Sequence, residues 1–416
     1  MTEPPGSTRV LLITGKGGVG KTTTAASMAV AAASSGHRVL VLSTDPAHSL
    51  GDVLDVDLPS ARHWRSGTDV PVGVPGSPGG LTVLAVDHHT DVEADWDVVR
   101  DHLLRILEGL DVDPVIADEL VTLPGADEVH ALLTLALAVD SGDWDLVVVD
   151  CAPSAETLRL LTLPEILGWH LDRLLPAQRR LLTTLRPAAA AATGIPLPDR
   201  EVLDVIGTWR RLMARCREVL TGPSASVRIV LTPERVVVAE ARRLRSAFAL
   251  HGYAVDEVVV NRVLPAGEDE WRSAWNRAQA DGLTLIIESF DGIPVTVTPH
   301  VAGEPIGVAA LAALADERSV LAGTPRALTD PVEVAAPRVT GAEDGFVLEQ
   351  PIGLADAAAV RVQRRADDLI VSVGGDRRII ALPSALRRCV VENASVGSGM
   401  LTVRFVKDEE VWPHGR

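Results

Sequence analysis

The sequence predicts an α/β fold, a doubly wound and mostly parallel sheet interrupted by helical insertions and followed by a small C-terminal antiparallel β-sandwich. Three observations predict it. Short runs of Val, Ile and Leu recur from Arg9 to Val263 with helical patterns between them, and a glycine-rich turn joins the first run to the first helical pattern. Beyond residue 345 the pattern changes to alternation of apolar and polar residues, the mark of strands with one covered face.

The apolar runs are RVLLIT from Arg9, RVLVLST from Arg38, LTVLAV from Leu81, WDLVVVD from Trp144, VRIVLT from Val227 and EVVVNRV from Glu257. Their near-continuous hydrophobicity predicts strands covered on both faces. A helical pattern follows the glycines from Thr22 to Ser35, and two helical insertions occupy about residues 90–140 and 155–225. In the second insertion Val202, Val205, Ile206, Trp209, Leu212, Met213, Cys216, Val219 and Leu220 keep helical spacing, a stripe that faces a core. A groove for varied apolar clients would favour methionine, and Met213 is the only one in the insertions.

The larger, α/β domain is expected over residues 8–320. Residues 321–344, rich in Pro, Gly and Ala, read as a linker. Residues 345–416 hold the β unit: Val360 and Val362, then Leu369, Val371 and Val373, then Leu401, Val403 and Phe405 alternate with polar neighbours, and Gly374-Gly375 supplies a hairpin turn.

Composition narrows the function classes. With 39 basic against 56 acidic side chains the net charge is −17, which opposes binding to the phosphate backbone of nucleic acids and to anionic lipid. Three widely spaced cysteines, Cys151, Cys216 and Cys389, fit neither a disulfide framework nor a Cys-x-x-Cys metal site. The N-terminus lacks signal-peptide features and no apolar run is long enough to span a bilayer, so a cytoplasmic protein that is not itself transmembrane is expected. Among the 39 basic residues the only lysines are Lys16, Lys21 and Lys407. Two of the three fall within six residues, in a chain that otherwise uses arginine, and the two side chains are not equivalent phosphate ligands.

Those two lysines lie in Gly15, Lys16, Gly17, Gly18, Val19, Gly20, Lys21 and Thr22, a G-x-x-x-x-G-K-[ST] loop between an expected strand and an expected helix. The glycines let consecutive N–H groups turn onto phosphate oxygens, Lys21 reaches the β- and γ-phosphates, and the Thr22 hydroxyl can ligate Mg²⁺. Thr23 completes the ATP-binding set. Lys16 makes the loop the deviant Walker A form. It can point away from its own phosphates toward those of a facing subunit and supply the charge an arginine finger gives, roughly 10³ to 10⁵ in rate.

Asp45 ends the second run in STDPAHS, at the carboxyl edge where α/β sheets place their chemistry, and is the expected catalytic residue, orienting or deprotonating water. Asp150 closes WDLVVVD as a Walker B acid does. It is expected, with Asp45 and Thr22, to hold Mg²⁺, the acids acting through water. Residues 151–157 are then expected to be a switch that senses the γ-phosphate.

The set GKGGVGKTT, STDPAHSL, LPGADE from Leu123, DCAPSAETLRLLTLPE from Asp150 and VVNRVLP from Val259 resembles the ArsA/Get3 family, the arsenite-pump and tail-anchored-protein-targeting ATPases, over roughly residues 8 to 320. The resemblance implies a homodimer with two composite ATP sites, Mg²⁺ dependence, Asp45 as the hydrolytic residue of switch I, Asp150 in switch II and Asn261 near the adenine. The chain departs from the family where TAPTGHT stands as CAPSAET, with Glu156 replacing the histidine, and it lacks both the zinc clasp and a thiol cluster in the insertions. The β unit looks like the small heat-shock, α-crystallin-like domain that some members carry.

The expected function is an ATPase whose cycle opens and closes a dimer, coupling ATP to an apolar protein client or a membrane partner. Its rivals are an arsenite-efflux ATPase subunit, a slow nucleotide-dependent chaperone or switch, and a partition or cell-division ATPase. The last needs basic DNA-binding or amphipathic membrane elements that an acidic chain does not offer.

Overall fold

The computed structural model describes residues 8–44, 49–58, 67–72, 79–85, 90–109, 113, 126–154, 156–165, 199–267 and 269–408. Strands β1 (Arg9–Gly15), β2 (Arg38–Ser43), β3 (Thr68–Val70), β4 (Gly80–Ala85), β5 (Leu146–Asp150), β6 (Ala225–Leu231), β7 (Val255–Val263), β8 (Val295–Pro299) and β9 (Ser319–Ala322) belong to a large, mostly parallel sheet. The helices are α1 (Lys21–Ser34), α2 (Ser49–Leu54), α3 (Thr90–Gly109), α4 (Ala126–Ser141), α5 (Arg200–Leu220), α6 (Arg235–His251), α7 (Glu270–Ser289) and α8 (Val308–Asp316). Two compact units emerge, one made mainly of residues 25–220 and the other of residues 11–24, 221–305 and 309–416.

In the first unit the strand order is β3-β4-β2-β5, with β2 parallel to both β4 and β5 and β3 antiparallel at the edge. Every residue of β5 is buried, as a strand covered on both faces requires. The insertions supply α3, α4 and α5, which pack on one another. The stripe expected on α5 faces this core, with Val202, Trp209, Met213, Cys216, Val219 and Leu220 buried. Val205, Ile206 and Leu212 are only half-buried, at the margin of the stripe.

In the second unit the order is β6-β7-β8-β9, parallel except for β9. β6 carries Arg228 in its middle, 1% exposed. An ion in a covered strand is tolerated only when paired, and here its guanidinium meets Glu257 Oε2 at 2.9 Å and Asp256 Oδ2 at 3.3 Å, with Arg318 also on Glu257. Arg228→Met removes one side of this cluster and leaves its carboxylates buried, so it should lower unfolding stability by about 3–5 kcal/mol in urea titration. A loss under about 1 kcal/mol would show that the cluster is dispensable.

The C-terminal part of the same unit is a sandwich of two antiparallel sheets. One has the order β10-β11-β16-β15, built from β10 (Arg338–Ala342), β11 (Gly345–Pro351), β15 (Cys389–Gly397) and β16 (Met400–Lys407). The other has the order β12-β13-β14, from β12 (Val360–Arg365), β13 (Asp368–Val373) and β14 (Asp376–Ala381). Leu369, Val371, Val373, Leu401, Val403 and Phe405 form its core, the residues whose alternation predicted it. Gly374 takes φ +59° in the two-residue turn pairing Val373 with Asp376, a conformation β-carbon-bearing residues rarely adopt.

Two observations differ from the simple picture of a bead on a linker. Strand β10 lies inside the segment 321–344, where its exposed, glycine-containing sequence hides it from pattern reading. The sandwich also packs on α6. Leu250 of that helix belongs to its core, and the buried carbonyl of Leu250 accepts from Arg378 Nη1 at 2.6 Å and Gln350 Nε2 at 3.1 Å.

Candidate functional site

The glycine loop joins β1 to α1, and its shape follows from contacts only glycine permits. A β-carbon on Gly15 would lie 2.0 Å from the carbonyl oxygen of Val230, and one on Gly20 would lie 2.3 Å from the Asn261 amide nitrogen. Gly20 also takes φ +91°.

Asn261 and Arg262, at the end of β7, grip the loop from outside. Asn261 Nδ2 donates to the Val19 carbonyl at 2.8 Å, and Arg262 Nη1 donates to the Gly18 carbonyl at 2.8 Å. In a trans, planar peptide the N–H points opposite to the C=O. Holding these two carbonyls therefore turns the N–H groups of Val19 and Gly20 the other way, the orientation an anion nest needs. Arg262 adopts φ +58°, and its own N–H is taken by Asn261 Oδ1 at 2.9 Å. Local strain of this kind persists where surrounding contacts over-determine it.

The two loop lysines have different environments. Lys21 opens α1 and is 7% exposed. Lys16 has a side chain 39% exposed, and its Nζ stands 3.8 Å from Glu240 Oε2 on α6. Thr22 and Thr23 follow in the first turn of the helix, both half-buried.

Beside the loop lies a cavity of about 340 Å³ lined by Gly20, Thr23, Asn261, Arg262 and the segment Pro299–Pro305 that leaves β8. The His300 N–H fixes this segment to β7 by donating to the Val263 carbonyl at 2.8 Å. The volume falls in the ordinary range for a small-molecule site, and the cradle next to it suits a nucleotide's phosphates.

On the first unit, the carboxyl ends of β2 and β5 are tied together. Thr44 N donates to the Asp150 carbonyl at 2.9 Å, and the Thr44 hydroxyl accepts from Ala152 N at 3.2 Å. Asp150 is fully buried, with Ser43 Oγ 3.5 Å from its Oδ2. Asp45 itself lies outside the described residues, as do Pro46, Ala47 and His48. Glu156 is exposed in the helical stretch 156–165, and the Thr157 hydroxyl donates to Ala152 O at 2.7 Å.

The cysteines are buried in separate places and none forms a disulfide. Cys216 donates to the Leu132 carbonyl at 3.2 Å, and burial pushes its thiol up to about 12, so it stays protonated and unreactive near neutral pH. Cys389 sits in the sandwich core. Among the described residues no group of three or more His, Cys, Asp or Glu is arranged to hold a metal ion, and no helix is long and apolar enough to cross a membrane.

Arg262, the 299–305 segment and Glu240 were not singled out from sequence. The basic residue after Asn261 was the only local signal for Arg262, and nothing in the sequence marks the other two.

This fold and loop define the class, a P-loop nucleotide-binding protein. Residues 8–318 match the family described as anion-transporting ATPase, and residues 343–405 match the HSP20-like domain found in ArsA. The chain belongs to this ArsA ATPase family and is an ATP hydrolase. It is 38% identical to protein Rv2184c of Mycobacterium tuberculosis, over 98% of each chain. It is 32% identical to a putative arsenical pump-driving ATPase of Chlorobaculum tepidum, over 91% of each. It is also 30% identical to ATPase GET3B of Arabidopsis thaliana, over 73% of this chain and 77% of that one.

Proposed function

We propose that this ATPase works as a Mg²⁺-dependent, cytoplasmic homodimer closed over two composite nucleotide sites, coupling hydrolysis to an apolar protein client or a membrane partner. The observation that carries the reading is the unequal placement of the loop lysines, Lys21 buried at the helix start and Lys16 turned out to the surface beside Glu240. A surface lysine in a phosphate loop is available to a facing subunit.

In this reading the N–H groups of Val19 and Gly20, with Lys21, bind phosphate oxygens, and Asn261 with the 299–305 segment holds the base. Thr22, with Asp45 and Asp150 acting through water, would hold Mg²⁺, which would supply positive charge against the charge of the phosphates. Asp45 orients the attacking water and takes its proton. Lys16 of the facing copy adds charge to the γ-phosphate.

The arsenite-pump reading suggested by some relatives' names requires three converging thiolates. An inert Cys216 and a Cys389 inside the β-sandwich core argue against it. Steady phosphate release from ATP is expected with Mg²⁺ and should stop with EDTA, while arsenite should leave the rate unchanged. Turnover that persists without divalent metal would reject the proposed chemistry, a several-fold arsenite activation would restore the pump reading, and a single turnover followed by arrest would favour a slow switch.

A further inference from the structure

Helix α6 touches the deviant lysine near one end and the C-terminal sandwich at the other. Glu240, in its second turn, pairs with Lys16. Leu250, ten residues and about 15 Å further along, lies in the sandwich core, and its carbonyl is held by Arg378 and Gln350. Gly353 of the sandwich packs so closely on the helix that a β-carbon there would come within 3.1 Å of Ser246 Cα. Between these points the helix lies on β6, β7 and α7, with Arg245 donating to Ser289 O at 2.9 Å. The same continuous helix thus carries both the carboxylate beside Lys16 and the residue built into the sandwich core.

A lysine that serves phosphates on a facing subunit must leave a carboxylate of its own chain. The pair is 3.8 Å apart, with side chains 39% and 27% exposed, so its strength is that of a surface ion pair. We infer that Glu240 is a positioning residue for Lys16, a latch that holds it in a resting place on its own subunit, and that the C-terminal sandwich keeps the latch set by fixing α6. The inference rests on the reading of Lys16 as acting across the dimer. It gives the sandwich a role in the ATPase cycle, in which displacement of the sandwich frees Lys16.

The test is a mutant cycle on the full chain, with steady-state ATP turnover and with dimerisation by a non-hydrolysable ATP analogue followed by light scattering. Glu240→Gln keeps the shape and removes the charge. It should raise turnover by about two- to fivefold, the upper figure being about 1 kcal/mol, and lower the analogue concentration at the dimerisation midpoint. Arg378→Met, which loosens the sandwich on α6, should move both readouts the same way by a smaller factor, and the double variant should match Glu240→Gln alone. A merely structural contact would lower thermal stability without that dependence on Glu240. Arg378→Lys serves in the same cycle if the methionine variant loses its near-UV circular dichroism.

Unchanged or reduced turnover in Glu240→Gln overturns the latch, and an Arg378 effect that persists unaltered in the Glu240→Gln background overturns the part given to the sandwich. Lys16→Ala is measured alongside. If it alone keeps wild-type turnover, the reading of Lys16 has failed, an outcome distinct from failure of the latch.

Discussion

Asp45→Asn should bind ATP within about threefold of the wild-type affinity and lose turnover by roughly 10² to 10⁴, the contribution of a positioned general base. The substitution is nearly isosteric and keeps an oxygen that can accept from water, so binding and folding are preserved while proton uptake is lost. The residue before it is held firmly: Thr44 bonds the Asp150 carbonyl through its N–H and takes the Ala152 N–H on its hydroxyl. The chain is thus fixed as far as Thr44, at the carboxyl end of β2 and next to the end of β5. Equilibrium nucleotide binding and single-turnover hydrolysis separate the two effects. Unchanged turnover would give the catalytic role to another residue.

Lys16→Ala is expected to cost roughly 10³ to 10⁵ in turnover, the range for a charge supplied in trans, while the subunit stays folded and still binds ATP through Lys21. Lys21→Ala should instead weaken ATP binding itself. Mixing the two variants discriminates further. In a mixed dimer one composite site carries both lysines and the other carries neither, so turnover should appear that neither variant has alone. No recovery in mixtures shown to contain mixed dimers would mean that Lys16 serves the nucleotide of its own subunit, in cis with Lys21.

The parts legible in the sequence are those whose signal is local. β1, β2, β4, β5, β6 and β7 are continuous apolar runs, and their burial on both faces is what makes them read so plainly. β8 escapes the apolar-run pattern because Val295-Thr296-Val297-Thr298 is brief and alternating, and β9 because its residues are largely exposed. β14 begins Asp376-Arg377-Arg378, and Arg378 is buried with the Leu250 carbonyl and Gln350 receiving it. A charged residue in a strand reads as solvent-facing until its distant partner is known.

The same distinction holds at the site. The glycine spacing and the two lysines are contiguous and can be recognised without a structure. Arg262 acts on Gly18 across 244 residues and does so from a left-handed conformation that no neighbouring residue announces. Glu240 is one acid among 56, and only the course of α6 brings it to Lys16. Asp256 and Glu257, two acids at the start of β7, acquire their meaning from Arg228 on the adjacent strand.

In the proposed cycle ATP closes two copies of the chain on one another. Light scattering of wild-type protein at saturating non-hydrolysable ATP analogue and Mg²⁺ tests it most directly. A particle of twice the 44.0 kDa chain mass is expected, formed by wild type and reverting toward the monomer when the nucleotide is removed. A particle that remains at 44.0 kDa under saturating analogue would contradict the composite site and the role of Lys16 with it.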